Sequence, residues 1–257
     1  GEAIQRAHQH GIAAVATRGS NHCGAMAYYA EMALDHDMIG IATTNALPTM
    51  APFGGAERVL GINPLAFAAP AAQETPISYD AAFSGSSHGK IRVHHQKRQR
   101  IPEGWALDEH GEPTTDPAEA IKGLLVPNGG YKGAGLAMIM GILSSMLSGA
   151  AYGTELGDME NGPRAGRDGH FFSAIKVAAF EDPARFKERV DHAIQQIHNV
   201  RLAPGYERTY APGEQEALRA REYRQSGIPL NSETLSGVRR AALGLGMETV
   251  PESWGGG

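Results

Sequence analysis

The sequence predicts a fold that mixes helices and strands and lacks the dinucleotide fingerprint of the doubly wound sheets. Three observations predict it. Short apolar runs of strand length recur at residues 12–16, 38–45, 65–69, 76–82 and 169–175. Longer patterns of helical period stand between them, without a strict strand–helix–strand rhythm. No Gly-x-Gly-x-x-Gly follows a strand, and Gly89-Lys90 has neither the preceding glycine nor the following Ser/Thr of a P-loop.

Composition narrows the class. With 257 residues and 42% apolar content, the chain has ample material for a core. A net charge of -5 gives no reason to expect nucleic acid or an anionic membrane as partner. The single cysteine, Cys23, excludes an intrachain disulfide and a cysteine-built zinc cage. Residues 133–151 carry no charge, but their Gly and Ser content and flanks fit a buried core helix better than a membrane span. The expectation is a cytoplasmic protein.

Taken in order, residues 2–10 read as a helix with Ile4 and Ala7 on one face, followed by the strand 12–16. Thr17-Arg18-Gly19-Ser20-Asn21 is a cluster of turn formers, and His22 follows where the strand hands over to a helix over about 25–35. Such junctions collect functional groups. His22 is either a packed strand-end histidine or a general acid/base, since imidazole exchanges a proton near neutrality. Residues 38–45 form a second strand whose polar end, Thr44-Asn45, either closes a turn or meets a ligand.

The Gly/Pro-rich loop 48–63 contains enough apolar residues to fold against the body. Strands at 65–69 and 76–82 follow. The basic stretch 89–100 reads as a solvated helix face, with the adjacent His94 and His95 a poor metal pair. Asp116-Pro117 is a helix start. Gly129-Gly130-Tyr131-Lys132-Gly133 precedes a helix that is apolar nearly all round and therefore expected to be central. Amide N–H groups at such an entry can face an anion, or simply begin a helix. A polar loop with Arg164 and Arg167 leads to the strand 169–175, whose His170 reads as structural. Asp182-Pro183 opens an amphipathic helix to about 200, Pro212-Gly213-Glu214 enters another, and a last helix runs over about 232–245. The glycine tail 255–257 is expected to be disordered.

Several stretches together resemble one family. They are Arg18-Gly19-Ser20-Asn21-His22-Cys23-Gly24, Tyr28-Tyr29-Ala30, Gly40-Ile41-Ala42 with Thr44-Asn45, Ala51-Pro52-Phe53-Gly54-Gly55 and Gly61-Ile62-Asn63-Pro64. Their order and length are similar to the malate/L-lactate dehydrogenase family, which includes ureidoglycolate dehydrogenases and diketogulonate reductases. The resemblance spans residues 2 to about 246.

It implies an α+β, non-Rossmann fold with a mainly antiparallel cofactor-binding sheet flanked by helices. One domain would cover 1–257, with a cofactor-binding core at 18–175 and a helical part, 176–257, packing back on it. It implies NAD or NADP as cofactor, hydride transfer to or from a 2-oxo or 2-hydroxy acid such as malate, lactate or ureidoglycolate, no metal, and a homodimer. By position, His22 would be the catalytic acid/base. Asn45, Ala46, Asp80, Ala81, Ala82, Gly130, Tyr131, Lys132, Pro212, Gly213 and Glu214 would contact cofactor. Thr44, Arg164 and Arg167 would contact substrate. Family members also carry an earlier Ser-His-Gly segment with an arginine for the substrate carboxylate. Ser87-His88-Gly89 stands at the wrong position for it, so a fragment or truncated member is expected. The alternative function is a catalytically impaired cofactor-binding or dimerisation module.

Overall fold

A computed structural model describes residues 1–157 and 166–247. Arg164 and the tail 255–257 lie outside the described residues. The chain divides into two compact units, Gly1–Glu214 and Gln215–Gly257.

The first unit is built on two sheets. One consists of β1 (Ile12–Ser20), β2 (Met38–Thr44), β5 (Leu65–Ala69), β6 (Ile77–Ala81) and β10 (Asp168–Lys176), in the order β1-β10-β2-β5-β6. Every pairing in it is antiparallel. The other joins five short strands, β3 (Pro48–Met50), β4 (Leu60–Gly61), β7 (Ala106–Leu107), β8 (Pro113–Thr114) and β9 (Leu124–Leu125). Its β3–β9 pair is parallel. The fold is thus α+β with a mainly antiparallel principal sheet.

Helices cover the sheets where the apolar periodicity asks for it. Helix α1 (Glu2–His10) buries Ala3, Ile4 and Ala7 against Met38 and Ala174. Helix α2 (Ala27–Glu31) brings Ala30 over Ala42, Ala66 and Ala68. This approach requires glycine at position 40, where a Cβ would stand 2.0 Å from the Ala30 carbonyl oxygen. The third cluster joins Met50, Leu125 and Ile91 of α3 (His88–Gln96) to Ala134, Ala137 and Met140 of α5 (Tyr131–Gly141). The basic face of α3 is solvent-exposed, and Asp116 caps α4 (Pro117–Lys122) by accepting the Ala118 N–H at 2.7 Å. Asp191 of α6 (Pro183–His198) is buried and accepts the N–H groups of Ala72, Gln73 and Glu74.

Two expectations fail. The helix expected over 25–35 is one short α-turn followed by a 3-10 turn at Leu34–His36, ended by Asp37 in the left-handed region at φ 52°. The helix after Gly130 is not buried all round. Gly133, Ala134, Ala137 and Met140 face the core, while Leu136 (43%), Ile139 (50%), Met146 (50%) and Leu147 (62%) are exposed. Its α-geometry also gives way to a π-turn at Ile142–Met146, where the Ser144 hydroxyl donates to the Met140 carbonyl.

The second unit contains α7 (Glu214–Ser226), apart from its first residue, and α8 (Ser232–Gly244). Asn231 caps α8 by accepting the Thr234 N–H. Among the described residues no helix is long and apolar enough to cross a membrane.

Candidate active site

The site grows from the end of β1. The strand runs to Ser20, paired with Asp168 of β10, and the loop that follows carries His22. Four contacts fix this loop. The Gly24 N–H donates to His22 Nδ1 at 3.1 Å, and the Tyr29 hydroxyl donates to the Cys23 carbonyl at 2.9 Å. The Gly166 N–H donates to Asn21 Oδ1 at 2.8 Å. The Ala27 N–H, at the start of α2, donates to Asp80 Oδ2 at 2.8 Å. His22 itself is exposed. Because a backbone N–H can only donate, His22 Nδ1 must accept, and the neutral ring carries its hydrogen on Nε2.

The end of β2 meets the start of β10 beside this loop. Asn45 is buried, with its amide engaged throughout. Its Nδ2 donates to Ser145 Oγ and the Ala151 carbonyl, and its Oδ1 accepts the Gly169 N–H. The Thr44 hydroxyl donates to the Asn45 carbonyl at 2.9 Å, so it accepts from His170 Nδ1 at 2.7 Å. His170 is 4% exposed. Burial lowers its pKa, the Asn21 carbonyl partly offsets this, and the charge of His22 lowers it further. Thr44 and Asn45 therefore form a clamp between strands. The Ala46 N–H donates to Asn63 Oδ1.

The remaining residues expected at the cofactor, Glu214 excepted, follow one line of backbone contacts and chain neighbours. The Pro212 carbonyl accepts the Ser78 N–H of β6 at 3.0 Å, and Gly213, at φ 93°, lies so close to Ser78 that a Cβ would stand 2.7 Å from its carbonyl oxygen. Asp80 and Ala81 end β6, and Ala82 follows. Beyond them Phe83 accepts the Asn128 N–H at 2.8 Å, and Ser84 bridges Pro127. Two residues on, Gly130 at φ 65° begins α5 with no side-chain cap. The first amides of that helix have no carbonyl partner within it, and exposed Lys132 stands among them. Tyr131 is exposed and meets Phe53 edge-on at 6.3 Å.

Glu214 stands apart from that line. It is buried, its Oε2 accepts the Ala211 N–H, and the carboxylate pairs with His198 Nε2 at 2.9 Å. Burial raises its pKa, but His198 and the Ala211 N–H outweigh this and hold it below the ordinary value. Glu74, His198 and Glu214 bring three ligand-type atoms within 4.8 Å of one another. His198 and Glu214 already satisfy each other there, and Glu74 accepts from Gln195.

Sequence reasoning missed two residues. Burial pushes the Asp168 carboxyl up, and the charge of His22 draws it part of the way back. Arg18, which lines a cavity together with Arg167, is the other. Both depend on the pairing of β1 with β10, two segments nearly 150 residues apart; Arg18 opens the motif at 18–24, but nothing local gives it a role. Arg167 is exposed, and its carbonyl accepts the Ala151 N–H.

Comparison with known proteins agrees with this architecture. The model of the malate/L-lactate dehydrogenase family matches residues 1–239. The L-sulfolactate dehydrogenase of Methanocaldococcus jannaschii is 39% identical over 97% of this chain and 72% of its own. The malate dehydrogenase of Pyrococcus abyssi is 38% identical over 96% of this chain and 69% of its own. The solved malate dehydrogenase of Entamoeba histolytica superposes with a TM-score of 0.91 at 31% identity, over 97% of this chain and 73% of that one. The chain belongs to the malate/L-lactate dehydrogenase family.

Proposed function

We propose that this family member is an NAD(P)-dependent oxidoreductase that interconverts a 2-hydroxy acid and its 2-oxo acid, with His22 as the proton-transfer group. Relatives named as NAD(+)- and NADP(+)-dependent dehydrogenases support either cofactor. One observation carries the reading. Pro212-Gly213, Asp80–Ala82 and Gly130–Lys132 are joined through Ser78, Phe83 and Asn128 into one continuous rim, and Asp80 is tied to the helix that follows the His22 loop.

The donor set on this rim fits a dinucleotide. Unpartnered amides at the start of α5, with Lys132, suit a phosphate. The free Oδ1 of Asp80 suits a ribose hydroxyl. When bound, the nicotinamide supplies or takes the hydride. In reduction His22 acts as the doubly protonated ring, off Gly24, giving one proton to the substrate's carbonyl oxygen and being left as neutral imidazole; in oxidation the neutral ring takes that proton back. Burial of Asn45 and His170 behind the loop keeps that floor rigid. Thr44 and Arg167 stand on the substrate side. Glu214 acts by holding the 211–214 turn on β6, and Asn45 and Ala46 by shaping the wall.

The exposed apolar face of α5 supports a homodimer, because contiguous apolar surface marks contact sites. The free thiol of Cys23 is in keeping with a cytoplasmic setting. Titration with NADH and NADPH, read by nicotinamide fluorescence, tests the reading. Saturable binding of one of them is expected. A folded protein that binds neither contradicts the proposal.

A further inference from the structure

We infer that Asp168 is the positioning residue of His22: its carboxylate accepts the Nδ1–H of the doubly protonated ring and so holds the Nε2–H toward the substrate oxygen. The inference rests on the proposed dehydrogenase reading and adds to it the place where the acid form of His22 is held.

The need for such a partner follows from the resting ring. His22 Nδ1 accepts the Gly24 N–H at 3.1 Å, so a hydrogen added to Nδ1 has to find another acceptor. The meeting of β1 with β10 supplies one. Ser20, the last residue of β1, is the register partner of Asp168, the first residue of β10, and His22 follows two residues later. The Gly166 N–H, bound to Asn21 Oδ1, folds the loop back over the start of β10. Asp168 and His170 share one face of that strand, by its period of two. His170 Nδ1 lies 3.8 Å from Cys23 Sγ, so this is the face beneath the His22–Cys23 loop.

Asp168 has no other partner there. The buried carboxylates Asp191 and Glu214 both accept backbone N–H groups. Asp168 is half-buried, and among the described residues its carboxyl is the only one pushed up, by burial, with the charge of His22 drawing it back. A carboxylate in that setting is stabilised by meeting a cation. The rival acid, Asp80, already accepts the Ala27 N–H at 2.8 Å and stands on the cofactor rim. The other titratable or charged groups around the pair, among the described residues, are Cys23, Tyr29, His170, Arg18 and Arg167. Burial raises Cys23 and Tyr29 and lowers His170, so these three are largely uncharged near neutrality. Neither arginine acts on the Asp168 carboxyl.

The proton balance closes on the ring. In reduction Nε2 gives its proton to the substrate's carbonyl oxygen while the carbonyl carbon takes the hydride of the reduced nicotinamide. The neutral ring then keeps its remaining hydrogen on Nδ1, against Asp168, which itself takes no proton. Oxidation runs the same transfer backwards.

The test is Asp168→Asn, which keeps the shape and removes the charge. The alkaline limb of kcat for reduction against pH should move down by about 1 unit or more, the effect of losing an opposite charge beside the ring. Near neutrality kcat should fall about 10-fold, with the dissociation constant for NADH within about 2-fold of wild type. In a His22→Ala background the same substitution should change the residual rate by less than about 2-fold. The melting temperature should not fall, because Asp168 makes no bond that the amide would lose. The ring resonances of His22, followed by NMR, read the pair without turnover: their titration midpoint should move to lower pH by about 1 unit in Asp168→Asn. That shift in a protein that reduces no 2-oxo acid would overturn the dehydrogenase reading and leave the pair standing. An unmoved midpoint overturns the inference, as does an unmoved alkaline limb in an active enzyme. So does a loss of kcat that is equal with and without His22, or a lowered melting temperature, which would make Asp168 a structural residue of the strand.

Discussion

The Gly24 N–H donates to His22 Nδ1 across 3.1 Å, and this bond sets which nitrogen of the ring is free to work. With Nδ1 committed as acceptor, Nε2 carries the hydrogen and is the atom available to a substrate oxygen. A second proton on Nδ1 would oppose the Gly24 N–H, so the acid form needs the ring to move off Gly24. Gly24 holds φ at 84°, which other residues adopt only under strain. Gly24→Ala is therefore expected to cost about 1–2 kcal/mol of stability. It should also lower kcat about 10-fold, because relieving that strain shifts the 22–24 turn and with it the place of the ring relative to the substrate. Denaturant melts and steady-state rates check both.

Asn45 is the hub of a buried network, and its removal leaves Ser145, Ala151 and Gly169 without a partner. Each buried group left unsatisfied costs about 1–3 kcal/mol. Asn45→Ala is expected to destabilise by about 3 kcal/mol or more. A change below about 1 kcal/mol in urea unfolding would show that water replaces the amide.

Histidine 170 makes stability depend on pH. Its folded pKa lies below its ordinary 6.5, so the unfolded chain binds the proton more tightly. The stabilisation is present above that value and is lost as pH falls from it through the folded pKa. His88, also lowered, first by burial and then by Arg58 and Arg92, acts in the same direction. The melting temperature should fall between pH 7 and pH 5, and less steeply in His170→Gln. An equal slope in wild type and variant would remove His170 from this account.

Glu214 adds a second step at lower pH. Its folded pKa is below its ordinary 4.5, so its contribution is full above that value and is lost as pH falls through the folded pKa. Glu214→Gln should flatten the acid limb below pH 4.5. It should also weaken cofactor binding, because the 211–214 turn it braces rests on Ser78.

How much of this was legible in the sequence follows from where each signal resides. The apolar runs that became β2, β5 and β6 are local, and so are the Asp116, Asp182 and Asn231 caps. Strands β3, β4, β7 and β9 have two or three residues each, too short to show a period of two, and are defined by their pairing alone. The length of α2 was misjudged because Ala33 and Leu34 continue the apolar pattern while the backbone turns at Asp37. In α5, Leu136 and Ile139 read as core from hydropathy, but small residues form the buried face, Gly133, Ala134 and Ala137. His22 could be found from its junction and the surrounding motif. Asp168 and Arg18 gain meaning only once β1 lies against β10.

The proton-transfer role of His22 is the centre of the account, and His22→Ala tests it most directly. The measurement is kcat for reduction of the best 2-oxo acid, taken with the dissociation constant for NADH or NADPH in the same variant. The account predicts that kcat falls by about 10²–10⁴-fold, the usual contribution of a positioned acid, while cofactor affinity stays within about 2-fold of wild type. A variant that binds cofactor and keeps its kcat would contradict it.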